Sequence, residues 1–186
     1  MAGMSIQRIV FPLLIAASMT WAQAPKQIMP KKEMPKQEYG TGWMGEFNFT
    51  ADEVARLAEA VPASKYGWRP QDGVRSISEV YVHIAVAHLF FLRSAGVTVD
   101  ASKMQGAEKK IVAKDEVVKF LKDSIAQVKE NYPKLDLQKK VHFVDADTNI
   151  DGIMIHLLAH TNEHLGQSIA YARMNGVVPP WSEPSK

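Results

Sequence analysis

The chain has 186 residues, 46% of them apolar, enough for one core-forming domain and too many for a wholly disordered polypeptide. Lys and Arg total 22 against 20 Asp and Glu, a formal +2 without the basic excess of an electrostatically driven nucleic-acid binder, so no nucleic-acid partner is expected. Cysteine is absent, which excludes disulfides, thiolate metal sites and cysteine nucleophiles; any metal falls to nitrogen and oxygen donors, and the six histidines become the informative residues.

Residues 1–24 carry one charged side chain, Arg8, then the apolar run Ile9–Ala17, then small residues at Thr20, Ala22 and Ala24. This is the three-part plan of a secretory signal peptide, with an apolar run shorter than the roughly 20 residues a membrane span needs. Cleavage after Ala22 is preferred to cleavage before Pro25. The expected location is periplasmic or secreted, with no stable membrane insertion once the leader is removed. Residues 25–44 read as a linker, with Pro25, Pro30 and Pro35 among Lys26, Lys31, Lys32 and Lys36. The domain is expected over residues 45–182.

Helix signals dominate that domain. Thr50-x-x-Glu53 is a capping box, followed by Val54, Leu57, Ala58 and Val61 at helical spacing and stopped by Pro62. Pro62–Pro70, with Tyr66 and Trp68, is a loop too aromatic to be merely solvated. Ser76-x-x-Glu79 is a second capping box, with Val80, Ile84, Ala87 and Phe91 in one stripe and Gly96 as the stop. Asp115 opens a third helix carrying Val118, Leu121, Ile125 and Val128 and ending by Asn131 and Pro133. Thr148-x-x-Asp151 opens the longest helix, which ends at Asn175-Gly176. Trp68 and Trp181 are expected to pack over the ends of the helices. Four helices read as an all-α four-helix bundle. The connections 97–113 and 134–147 are long enough for crossovers, so simple up-and-down topology is not assured.

At about 100° per residue, His156, His160 and His164 fall within roughly 80° of one another on the last helix. Burying several neutral imidazoles without partners costs about 1–3 kcal/mol for each unsatisfied group, and a metal offers compensation. Histidines at i and i+4 can meet one ion with bonds of about 2.0–2.1 Å; spacing alone leaves His156/His160 and His160/His164 open. On the second helix His83 flanks the buried stripe, with Ala87 one turn on leaving space for an ion. His88 is read as a core-edge histidine bonded to backbone or water, His156 as lining the cavity or supporting a ligand, and His142 as a surface residue. Glu163, on the same side of its helix as His160, is a candidate ligand or catalytic base, with an exposed charge as the alternative.

Three segments together resemble a known family: Pro62–Pro70 with Tyr66, Trp68 and Arg69; Ser76–Ala85 with Glu79 and His83; and His160-Thr-Asn-Glu163-His164-Leu165-Gly166-Gln167 running on to Arg173, Gly176, Pro179 and Pro180. The likeness, over about residues 45–182, is to the DinB-like (damage-inducible) superfamily. It implies a four-helix bundle with crossover connections and a divalent metal held by one histidine of the second helix and two of the last, here His83, His160 and His164. It thereby separates His160/His164 from His156/His160. The family's common His-His-Arg-Gly-Gln stretch reads Glu163-His164-Leu165-Gly166-Gln167 here, so the metal histidine is kept and the extra His and Arg are gone. The family includes thiol-dependent S-transferases and isomerases alongside members without known activity.

The expected function is that of a metal-dependent enzyme of hydrolase or S-transferase type. It would activate water or a thiol for a small-molecule substrate that the sequence does not name, with zinc or nickel as the metal. The alternatives are a non-catalytic metal-binding or stress-related protein and a ligand-binding module whose histidines line a cavity. A homodimer is among the expected assemblies. No G-x-S-x-G, phosphate-binding loop or dinucleotide fingerprint is present.

Overall fold

A computed structural model describes residues 40–182, so the expected leader and all but the end of the expected linker lie outside the described residues. Among the described residues, five α-helices follow in chain order: α1 Gly42–Ala60, α2 Ile77–Ser94, the short α3 Ala107–Lys110, α4 Lys114–Asn131 and α5 Ile150–Met174. An antiparallel hairpin, β1 Lys140–Phe143 and β2 Ala146–Asn149, precedes α5. The four long helices form the bundle. α2 packs between α4 and α5, and α1 closes the other side against the same two helices. Consecutive helices α1 and α2 therefore occupy opposite corners, as do α4 and α5, and the connections between them cross the bundle.

The core is the set of apolar stripes these helices present. Phe47, Val54 and Leu57 of α1 meet Val80, Ile84 and Leu92 of α2, Val117, Leu121 and Val128 of α4, and Ile153, Met154 and Leu157 of α5. Trp43 holds the start of α1 in place: it stacks on Phe47 and Tyr132 with ring centroids 5.0 and 4.1 Å apart, and its Nε1 donates to the Met154 carbonyl at 2.8 Å. Trp68 and Trp181 pack against the core as expected, Trp68 edge-on to Tyr171 at 5.3 Å.

The helix ends show where local chemistry decides. Ser76 and Glu79 form the expected box: the Glu79 amide donates to Ser76 Oγ at 3.3 Å, and the Ser76 amide donates to Glu79 Oε2 at 2.8 Å. The next two free amides of α2 are taken by the aromatic loop, Ile77 N–H by the Trp68 carbonyl and Ser78 N–H by that of Tyr66, at 3.0 and 2.9 Å. Gly96 and Gly176 adopt φ of +93° and +75° as the stops of α2 and α5. Thr50-x-x-Glu53, in contrast, is not a helix start. α1 begins at Gly42, taking residues 42–44 from the segment read as linker, and Thr50 lies inside it with its hydroxyl donating to Asn162 Oδ1 at 3.1 Å. The cap of α5 is Asn149, one residue after the expected Thr148; its Oδ1 accepts from Gly152 N–H at 2.9 Å.

Candidate metal centre

Three elements build the site. The capped start of α2 fixes the rotation of that helix, and two turns on it brings His83 to the edge of the α2–α5 contact. α5 brings His160 and His164, one turn apart, to the same place. One ring nitrogen from each of the three imidazoles lies within 4.8 Å of the others, with His83 Nε2 and His160 Nε2 3.2 Å apart. The ring centroids are 4.5–5.0 Å apart. Among the described residues no fourth histidine or carboxylate joins the group.

Two of the rings have their tautomers set from outside. Glu108, on α3, places Oε1 2.8 Å from His83 Nδ1. A carboxylate accepts, so His83 carries its proton on Nδ1 and turns the Nε2 lone pair toward the other rings. Gln167 donates its amide nitrogen to the Tyr171 hydroxyl at 3.1 Å, which leaves its oxygen 2.7 Å from His164 Nδ1. His164 is therefore also an Nδ1–H tautomer with a free Nε2. His160 has no such support; its Nδ1 is buried without a partner. Burial depresses the pKa of His83, against the pull of Glu108. Burial, reinforced by the neighbouring His164 and His83, brings that of His160 down to about 4. Both are neutral near pH 7, the form in which an imidazole can take a metal.

This donor set fits a divalent metal. Two imidazole nitrogens bound to one tetrahedral ion at about 2.0–2.1 Å stand about 3.3 Å apart, close to the 3.2 Å between His83 and His160. With Nε2 of His160 on a metal, the ring proton would sit on the buried Nδ1.

The remaining histidines sort clearly. His88 is wholly buried between the hydroxyls of Ser124 and Thr161, 3.0 Å from each, so its partners are side chains rather than the expected backbone or water. Burial brings its pKa down to about 3. Ser124 and Thr161 can also bond to the Leu121 and Leu157 carbonyls. A neutral imidazole has one N–H and one lone pair, so one of these hydroxyls must turn and donate to His88. His156 is exposed, with its ring against Phe91 and Phe143 at 5.4 and 6.2 Å, outside the three-histidine group. His142 is on the exposed hairpin, paired with Asp147 across the strands at 2.8 Å. Glu163 is exposed on α5 between the two ligand candidates, and no described hydrogen bond or ion pair ties it to them.

Glu108 and Gln167 were not legible as site residues. Gln167 stands at helical spacing from His164, a weak signal by itself. Glu108 sits in the long connection among Lys109 and Lys110, where a charge run reads as a solvated surface.

Comparison with known proteins agrees with this architecture. Residues 46–168 match the family model described as the DinB superfamily. The chain resembles the crystal structure of a DinB-like protein from Bacillus cereus ATCC 10987 with a TM-score of 0.68 at 15% identity, over 78% of this chain and 100% of that one. At that identity the likeness speaks for the fold. No curated protein matches the sequence.

Proposed function

Because the chain belongs to the DinB superfamily, we propose that it is a divalent-metal protein acting outside the cytoplasm, whose three-histidine centre activates water or a thiol in a hydrolase- or S-transferase-type reaction. The convergence of His83, His160 and His164 on one point carries this reading. These three side chains would hold the ion, and zinc or nickel suits an all-imidazole set. With three protein ligands and open positions, such an ion supplies Lewis acidity and lowers the pKa of water or thiol at the site. The chain's own part is orientation and charge: Glu108 and Gln167 fix two tautomers, and burial keeps His83 and His160 neutral. Proton transfer is assigned to Glu163, exposed beside the two α5 ligands. Export rests on the pattern of residues 1–24.

The test uses untagged protein stripped with a chelator, reloaded with zinc or nickel, and screened against ester, amide and thiol-transfer substrates. Activity should return only with metal. Glu163→Gln should keep the metal and lower kcat. A stripped protein as active as the reloaded one would refute metal-dependent catalysis.

A further inference from the structure

The connection between α2 and α4 is long, yet it is not a free loop. Its α-helical turn, α3, is fixed beside the start of α2 at three points. Ala107 is buried, Lys109 Nζ reaches Glu79 Oε1 at 2.5 Å, and Arg75 Nε donates to Glu108 Oε2 at 2.8 Å. The other oxygen of the same carboxylate takes His83 Nδ1–H at 2.8 Å. Glu108 thus faces the far side of the His83 ring from the point where the three imidazoles meet, and it is not in the ligand group itself.

We infer that Glu108 is a positioning residue of the metal centre: held by Arg75, it locks the tautomer and ring orientation of His83, the only ligand α2 supplies. This inference rests on the metal reading above. The physical case is the asymmetry between the bundle's two contributions. The α5 ligands sit on one helix, where backbone geometry sets their spacing, and Gln167 of that helix orients His164. His83 must meet them across a helix–helix contact, and the one hydrogen bond that holds its ring from the side away from the other imidazoles is that of Nδ1 to Glu108. A carboxylate partner also makes the imidazole a stronger donor, and losing such a partner typically weakens metal affinity about 10–100-fold.

The experiment is Co2+ binding to chelator-stripped, untagged full chain, read by the visible d–d bands and by competition with a chromophoric chelator. Glu108→Ala should raise the Kd for Co2+ about 10–100-fold and change the bands, because His83 no longer holds its orientation. Glu108→Gln, which keeps an acceptor oxygen and nearly the same shape, should fall between that variant and the wild type. Arg75→Ala should weaken Co2+ binding less, and should add nothing in the Glu108→Ala background. Lys109→Ala removes the neighbouring tether of α3 without touching His83 and should leave the bands unchanged. Circular dichroism of the metal-free variants establishes that they are folded; if Glu108→Ala is not, Glu108→Gln decides. Wild-type Kd and bands in a folded Glu108 variant would overturn the inference, as would an equal loss in Lys109→Ala, which would make the role one of docking α3. A wild type that takes up no Co2+ would instead sink the metal reading and this inference with it.

Discussion

At the scale of single residues, the six histidines divide by environment more than by spacing. His83, His160 and His164 meet at one point; His88 is sealed in the core; His142 and His156 lie on the surface. Periodicity placed His156, His160 and His164 on one side of α5 but could not choose between the two i, i+4 pairs. The choice depends on where α2 lies, which is a tertiary fact. The buried His88 gives a prediction about acid stability. Its folded pKa, about 3, is depressed from 6.5 by burial. The unfolded chain therefore binds a proton below 6.5 that the folded protein refuses. The contribution of His88 is complete above that value and is lost progressively as pH falls toward about 3. The limiting slope is about 1.4 kcal/mol per pH unit. His88→Gln, which does not titrate, should flatten the fall in urea-unfolding free energy between about pH 6 and pH 4 by close to that slope. An unchanged slope would mean that His88 is accessible to protons in the folded state.

At the scale of elements, what could be read from the sequence was whatever local chemistry decides. The Ser76/Glu79 box and the Gly96 and Gly176 stops stand where the residues put them. Glu79 is held well below the usual carboxylate range, at about 2: burial alone would raise it, but Lys109, the Ser76 amide and Arg69 outweigh that. Ser76→Ala should therefore cost about 1 kcal/mol in chemical denaturation. Thr50→Ala removes no cap and should lose the bond to Asn162 and the packing of a buried methyl. The same pattern of residues at Thr50 misled because Trp43 and Phe47 extend α1 upstream: their packing on Tyr132 and α5 outweighs a local start signal. The hairpin was missed for a different reason. Its two-residue turn places Val144 at a φ of +59°, where Gly or Asn is the usual signal and a β-branched residue is strained. Val144 is also largely exposed, so its side chain gains little there. Val144→Asn should raise stability by about 1 kcal/mol, seen as a higher denaturant midpoint at unchanged m-value, with metal binding unaffected.

At the scale of the whole molecule, the crossing connections are what make the centre. α2 and α5 are far apart in sequence and adjacent in space, and α3, carried on the connection after α2, brings Glu108 to the ring that α2 contributes. The bundle class was legible because four amphipathic stripes admit few other arrangements. The part of the site that depends on the route of a loop was not, since nothing in Glu108-Lys109-Lys110 distinguishes a docked turn from a solvated one. The three-histidine group spans two helices, so metal should bind the folded bundle and not the unfolded chain, and because burial lowers the pKa of His83 and brings that of His160 to about 4, binding should weaken only as pH falls below the usual histidine range toward that value. The most direct measurement is metal content per chain after equilibration with one divalent metal, in untagged wild type and in His83→Ala, His160→Ala, His164→Ala and His156→Ala. The account predicts one ion per chain in the wild type and in His156→Ala, none in His160→Ala or His164→Ala, and a greatly weakened site in His83→Ala. Full occupancy in His83→Ala together with loss in His156→Ala would place the site on α5 alone and contradict a centre shared between α2 and α5.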